Sequence, residues 1–323
     1  MTCLTIGIPT FERRDTVLRC VAQALKVVDG LPVGILVADN ASQDGTVDAL
    51  RQEFDQPSVR IIAGESNRGL KGNVERLLRG CESEYLLLLS DEDDLASQSV
   101  LVHLLELLNQ LEPSAVLPSR SDDDRAGNAI PVSHLWDASM YLSGIALRVS
   151  SGLRALRRLD AAREYADLDA ILIWPQYVVV LDAFLAGEVC CWAGHAVSRK
   201  REELPTAIAD ENRLYSRNST PDRMRGSYKG IEARLAQASA ILEFIDADRR
   251  RPDAMSDPAQ VARVQQAWRV VEDKIFTQLR ARLAYDFPLL LKAFDRGSRR
   301  ALVVQVLQIP AAISRRIVAR CRR

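Results

Sequence analysis

Short apolar runs alternate with helically spaced segments over the first hundred residues of the chain. Cys3–Ile8 is an apolar run closed by Pro9-Thr10, and Arg14–Val28 places Val17, Val21, Ala24, Leu25 and Val28 at helical intervals. Val33–Ala38 reads as a second strand ending in Asp39-Asn40. Thr46–Phe54 reads as a second helix, led in by Gly45, with Ser42 and Asp44 expected as its caps. Val59–Ala63 and Tyr85–Leu89 are a third and a fourth strand, with Lys71–Arg79 a helix between them. Leu86–Leu89 is apolar at every position, the pattern of a strand covered on both faces. Strands alternating with short helices predict βαβ units and a mainly parallel, Rossmann-like α/β sheet with flanking helices.

Beyond residue 95 the pattern predicts a helix over Ser97–Gln110, a short strand at Ala115–Pro118 and a polar surface loop over Ser119–Asn128. Order resumes over Trp136–Val149 and Leu153–Leu159. Ala170–Gly187 reads as a long buried helix, and Arg199–Lys229 as a charged loop. From Gly230 onward the periodicity is helical, over Ile231–Ile245, Ala259–Tyr285 and Leu289–Arg323, broken near Pro310. The expected division is an α/β domain over 1–230 and a helical extension over 231–323.

Composition narrows the function classes. The 323 residues carry 43 Lys+Arg against 43 Asp+Glu, a formal net charge of zero that speaks against nucleic acid as the partner. Six cysteines form no CxxC pair, which removes zinc knuckles and thioredoxin-type chemistry and suits reduced thiols in the cytoplasm. The N-terminal residues lack a signal-peptide apolar region, and no run reaches 18 uninterrupted apolar residues. Neither GxxxxGK[ST] nor GxGxxG is present, so a P-loop nucleotidase and a dinucleotide-binding Rossmann site are unsupported.

Candidate chemistry gathers at the carboxyl ends of the four strands, where open α/β sheets bind their ligands. These ends carry Pro9-Thr10-Phe11-Glu12-Arg13, Asp39-Asn40-Ala41-Ser42, Asn67-Arg68-Gly69-Leu70 and Ser90-Asp91-Glu92-Asp93-Asp94. The acidic run sets like charges side by side, which is costly unless solvent or a cation relieves it. Asp91 and Asp93 offer hard oxygen ligands for Mg²⁺ or Mn²⁺, an ion that completes its shell with substrate phosphates. The alternative is a solvated loop capping the helix that follows.

Four motifs together resemble the family 2 glycosyltransferases of the GT-A fold: Ile8-Pro9-Thr10-Phe11-Glu12-Arg13; Val37-Ala38-Asp39-Asn40-Ala41-Ser42-Gln43-Asp44-Gly45-Thr46; Asn67-Arg68-Gly69 with Asn73; and Asp91-Glu92-Asp93. The resemblance is close over about 3–100 and looser to 200. It implies a metal-dependent transfer of a sugar from a nucleoside diphosphate (UDP, dTDP, GDP or CDP) to an acceptor hydroxyl, with inversion. Pro9, Thr10, Glu12, Arg13, Asp39, Asn40, Asn67, Lys71, Asp91 and Glu92 are then expected at the nucleotide sugar, and Asp93, Asp91 and His195 at the metal. A looser likeness to O-antigen-type sugar transferases such as abequosyltransferase rests on Tyr141-Leu142-Ser143-Gly144 and the Pro175-Gln176 helix.

The chain departs from the family pattern at the general base. An acidic pair usually opens a helix that ends about a dozen residues later in Ala-Gly; counted back from Ala186-Gly187, that place holds Pro175-Gln176. Asp169, then Asp167, are the nearest candidates, with ordinary helix N-terminal acids as the alternative. This departure also keeps open a non-catalytic GT-A module that binds a sugar nucleotide or a partner. The Gln-Xxx-Xxx-Arg-Trp motif of processive synthases is absent, which favours single addition. His103 reads as a packing residue, and His195 is open between a site role and a structural one. Arg199-Lys200-Arg201 is open between a diphosphate lid and a solvated loop.

Residues 296–323 hold eight arginines, no acid and a series of Leu, Ile and Val. This basic amphipathic pattern suits an anionic membrane surface, and equally a helix packed on the catalytic domain. A lipid-linked or cell-envelope glycan acceptor, and a cytoplasmic location peripheral to the inner face of the membrane, are the matching expectations.

Overall fold

The computed structural model describes residues 4–119, 125–139, 141–162, 175–200, 241–242, 244–245, 257–271 and 273. The chain divides into two compact units, one of Met1–Ala161 with Leu172–Pro205 and the other of Ala162–Ile171 with Thr206–Arg323. The first unit holds the strand ends singled out above.

Its first half follows the alternating pattern: β1 (Leu4–Thr10), α1 (Arg14–Val28), β2 (Val33–Asp39), α2 (Thr46–Glu53), β3 (Val59–Ala63), α3 (Gly69–Gly80) and β4 (Tyr85–Leu88). Every residue of β1 is buried, because β1 lies between β2 and β4 with helices over both faces. Its parallel register pairs Leu4 with Val33 and ends on Thr10 opposite Asp39. Gly7 leaves room for the Leu86 side chain of the neighbouring strand, since a Cβ there would stand 2.7 Å from Leu86 Cδ1. Leu86, Leu87 and Leu88 are fully buried, each contributing about 1.5–3 kcal/mol through lost apolar exposure. α1 turns Val17, Cys20, Val21, Ala24, Val27 and Val28 onto the sheet.

The second half comprises β5 (Asp93–Leu95), α4 (Gln98–Leu111), β6 (Ala115–Leu117), α5 (Val132–Ser139), β7 (Ala146–Arg148), α6 (Val149–Ala162), α7 (Pro175–Leu185), β8 (Cys190–Trp192) and β9 (Ser198–Lys200). The seven-stranded sheet runs β3-β2-β1-β4-β7-β6-β8, and β7 alone among these strands opposes its neighbours β4 and β6. The mainly parallel expectation holds. The strand order reverses at β1, with β2 and β3 on one side and β4 on the other, which puts a crevice at the carboxyl ends of β1 and β4.

The structure corrects several details. Trp136–Val149 is not one segment but the end of α5, a turn and the antiparallel β7. The acidic run does not cap a helix: Asp93–Leu95 forms β5, paired antiparallel with β9, and Ser97 caps α4 by accepting from the Val100 N–H. Three residues are too few for periodicity to reveal, so β5 and β9 were invisible as strands. β9 occupies the start of the stretch expected as a loop from Arg199. The N-cap of α2 is Gly45, with φ 78°, while Asp44 accepts from the Thr46 N–H and hydroxyl in the turn before it. The buried helix expected from Ala170 begins, within the described residues, at Pro175. In the second unit a helix covers 258–271, with Val264, Ala267 and Val271 buried at helical spacing and Asp257 accepting from the Ala259 N–H. Arg296–Arg323, Asp167 and Asp169 lie outside the described residues. No helix among the described residues is long and apolar enough to cross a membrane.

Candidate active site

The crevice at the strand-order reversal is lined by four turns that bond to one another. The turn after β1 holds Glu12 at φ 53° and the turn after β2 holds Ala41 at φ 68°, left-handed conformations that non-glycine residues adopt only when the surroundings hold them. Here they do: the Glu12 N–H donates to Ser42 Oγ at 2.8 Å, and Glu12 Oε1 accepts from the Gln43 N–H at 2.7 Å. Asp39, 1 % exposed at the end of β2, accepts from the Ser42 N–H at 2.9 Å and from the Ser42 hydroxyl.

Across the crevice, Thr10 Oγ1 at the end of β1 donates to Asp91 Oδ2 at 2.8 Å. Arg13 reaches over the same gap, its Nη1 lying 3.1 Å from Asp91 Oδ1 and also bonded to Glu92 Oε1. The cation that relieves the acidic run is therefore, in part, the protein's own guanidinium. Asp91 and Asp93 are 3 % and 1 % exposed. Burial pushes the Asp91 carboxyl above its ordinary value, against the pull of Arg13 and of the Thr10 hydroxyl. Burial likewise raises Asp93, against hydrogen bonds from Ser143 and Tyr141. The Tyr141 hydroxyl donates to both Asp93 oxygens at 2.9 Å, and burial together with the Asp93 charge pushes that phenol upward. Ser143 Oγ donates to Asp93 Oδ2 and accepts from the Ser90 N–H, which ties the acidic turn to the segment before β7.

The third turn, between β3 and α3, is organised around Asn40, 3 % exposed. Its Nδ2 donates to Asn67 Oδ1 at 2.6 Å and Gly69 O at 3.3 Å. Its Oδ1 accepts from the Arg68 N–H at 2.9 Å and from Arg76 Nη1 at 2.7 Å. Asn67 Oδ1 also accepts from the Gly69 N–H. Asn73, on α3, donates to the Thr10 carbonyl at 3.0 Å and so joins this turn to the end of β1.

Of the residues expected at the nucleotide sugar, Pro9, Thr10, Glu12, Arg13, Asp39, Asn40, Asn67, Asp91 and Glu92 all fall on these four turns and the strand ends beside them. Lys71 is buried on α3 with Nζ 3.4 Å from Asp160 Oδ1 of α6. His195, expected beside Asp93 and Asp91, instead sets its ring edge-on to that of His103 on α4, with centroids 5.1 Å apart. Among the described residues no three His, Cys, Asp or Glu side chains group to hold a metal, so the set Asp91, Asp93 and His195 is not assembled. The two buried carboxylates still offer the hard oxygens that suit Mg²⁺ or Mn²⁺. Such an ion, held by one or two carboxylates, takes its remaining ligands from a diphosphate and water. Tyr141, Ser143 and Arg76 were not among the expected site residues. Helical spacing from Asn73 points to Arg76, whereas no local signal marks Tyr141 as an Asp93 partner.

A mainly parallel sheet, acidic residues at the reversal and a short antiparallel ribbon after β4 define a GT-A fold. Residues 5–158, a little under half of the chain, match the model of Glycosyl transferase family 2. Over 135 residues the chain is 28% identical to chondroitin synthase of Escherichia coli, an overlap covering 41% of this chain and 19% of that protein. The chain thus spans about a fifth of that relative's length. Among solved structures it resembles residues 1–349 of S. aureus TarS, with a TM-score of 0.50 and 13% identity, covering 88% of this chain and 92% of that one. It also resembles the mannosyltransferase PcManGT of Pyrobaculum calidifontis, solved with GDP-Man and Mn²⁺, with a TM-score of 0.49 and 13% identity over 98% of this chain and 83% of that one.

Proposed function

We propose that the chain is an inverting, metal-assisted glycosyltransferase. It moves a sugar from a nucleoside-diphosphate donor to a hydroxyl of a lipid-linked or cell-envelope glycan. The observation that carries this reading is the convergence of Thr10, Arg13, Asp39, Asp91 and Asp93 at the strand-order reversal of a GT-A fold. Asp39 keeps carboxylate lone pairs beyond its two bonds to Ser42 and is suited to accept from a base or ribose. Thr10 and Arg13 line the same gap, with Arg13 close enough to the acidic turn to meet a diphosphate once Asp91 and Glu92 gain another partner.

In the transfer, an acceptor oxygen bonds to the anomeric carbon from the face opposite the leaving diphosphate. The bond from that carbon to the diphosphate oxygen breaks, and the acceptor proton passes to a carboxylate. Asp169 first and Asp167 second are proposed for that base. Asp93 and Asp91 would hold a divalent ion, Mn²⁺ or Mg²⁺, which would supply Lewis-acid stabilisation for the negative charge of the leaving diphosphate. The basic sequence at Arg296–Arg323 is proposed to place the enzyme at the inner face of the cell membrane, where lipid-linked acceptors reside.

A second reading, a non-catalytic module that binds a sugar nucleotide or a partner, is favoured by Gln176. This residue stands at the start of α7 where an acid is usual, 1 % exposed and donating to the Ser139 carbonyl at 3.1 Å. Transfer or slow donor hydrolysis that disappears in Asp93→Ala excludes this second reading. The primary test is a thermal-shift series with UDP, dTDP, GDP and CDP, each with and without Mn²⁺. A nucleotide that raises the melting temperature only with Mn²⁺, and not in Asp93→Ala, is the expected result. A shift unchanged in Asp93→Ala overturns the metal assignment.

A further inference from the structure

We infer that Arg76 is a positioning residue for donor binding, acting through Asn40 on the turns that line the crevice; the inference rests on the donor-site reading above. Arg76 projects from α3 and bonds to two of the four turns around the crevice. Its Nη1 donates to Asn40 Oδ1 at 2.7 Å and to Asn73 Oδ1 at 2.8 Å, and its Nη2 donates to the Ser66 carbonyl at 2.8 Å. Gly64, at the end of β3, gives the guanidinium its room, since a Cβ there would stand 2.6 Å from Arg76 Cζ. One planar group therefore holds the side chain that follows β2, the backbone between β3 and α3, and the α3 asparagine bonded to the Thr10 carbonyl. A planar, multi-donor fork suits this task, which a lysine ammonium performs only in part.

Asn40 is where this brace acts. A side-chain amide has two N–H donors and a carbonyl oxygen with two lone pairs. In Asn40 both lone pairs are engaged by Arg76 and the Arg68 N–H, and both donors by Asn67 and the Gly69 carbonyl. The orientation of the amide is settled by its partners, because Arg76 and a backbone N–H can only donate. No capacity remains for a nucleotide. Asn40 holds the 67–69 turn and the end of β2 in place, so that Asp39 and Thr10 are presented to the donor. Removing Arg76 takes one partner from the buried Asn40 oxygen and the side-chain tie from the Ser66 carbonyl, which loosens the turn at Ser66 while Arg68 keeps its bond to Glu75 of α3.

The test measures the affinity of the full chain for UDP, dTDP, GDP and CDP with Mn²⁺ by calorimetry, alongside melting temperature and circular dichroism. Arg76→Met is expected to weaken the nucleotide that the wild type binds by about tenfold, as loss of a charge-assisted hydrogen bond commonly does, while remaining folded. Arg76→Lys is expected to recover part of that loss. Asn40→Ala is expected to weaken binding to a similar degree, and the double variant Arg76→Met/Asn40→Ala to be no weaker than either single one, because the two act in series. Arg79→Met, which removes one of the two arginine partners of the buried Glu75 and touches none of the turns, is expected to bind like the wild type because Arg68 still pairs with Glu75. Equal affinity of wild type and Arg76→Met overturns the inference, as does full additivity in the double variant. If Arg79→Met weakens binding as much as Arg76→Met, general damage to α3 explains the effect and the inference also fails. A wild type that binds none of the four nucleotides overturns the donor-site reading, and this inference with it.

Discussion

Replacing Arg13 with methionine removes the guanidinium from Asp91 and Glu92 while keeping much of the aliphatic volume. The carboxyl of Asp91 is then left buried, with Thr10 as its remaining side-chain partner across the crevice. Breaking a fully buried ion pair by deleting one member costs about 3–5 kcal/mol, but the Arg13 side chain is 31% exposed and water makes good part of the loss. The expected destabilisation at neutral pH is therefore about 1–3 kcal/mol, or roughly 2–10 °C in melting temperature for a chain of this size. Its pH dependence is the sharper test. Burial holds the Asp91 carboxyl above its ordinary value and Arg13 pulls it down, so the variant raises the folded value further while the unfolded value stays put. Between those two values the folded state binds more protons than the unfolded state, and stability falls as pH rises. The deficit of Arg13→Met is thus expected to be small near pH 4 and to grow as pH rises through the elevated folded value. Urea melts from pH 4 to pH 8 read it directly, and a second substitution, Asp91→Asn, is expected to restore most of the loss. A deficit that is flat with pH, or largest in acid, refutes the reasoning.

Asp93→Asn removes a buried carboxylate whose folded value burial has raised, so the nucleotide-free protein is expected to melt higher than the wild type, with the gain growing from pH 4 to pH 8. In the same thermal assay the Mn²⁺-dependent nucleotide shift should vanish, a gain in stability coupled to loss of function; a lower melting temperature at pH 8 contradicts the burial argument. Gly7→Ala puts a methyl 2.7 Å from Leu86 Cδ1 and 3.3 Å from the Leu77 methyls. Overpacking there is expected to cost about 1–3 kcal/mol in a urea melt, and an unchanged midpoint shows that the Leu86 and Leu77 side chains shift more readily than their burial implies.

The α/β alternation was legible because each element from β1 to β4 is long enough to show its period, and because β4 is buried on both faces. The positions of Thr10, Asp39 and Asp91 were legible for a related reason: polar residues directly following a buried strand lie at its carboxyl end. Three-residue strands carry no period, so β5, β7 and β9 were hidden, whereas β6 showed only as a short apolar run before Pro118. The sequence left His195 open between a site role and a structural one because a position after a strand carries no side-chain direction; in the fold its ring lies edge-on to His103.

The sequence by itself determined which residues stand at the strand ends, since alternation of strand and helix fixes the order in which they arrive. Only the tertiary structure decided what those residues do to one another. Contacts such as Thr10 to Asp91, Tyr141 to Asp93 and Arg76 to Asn40 join side chains 81, 48 and 36 positions apart. Local periodicity acts over a few residues and has no access to pairings at that range. Strand order β3-β2-β1-β4 brings those turns together, and burial then assigns Arg13 to the acids and Asn40 to the scaffold.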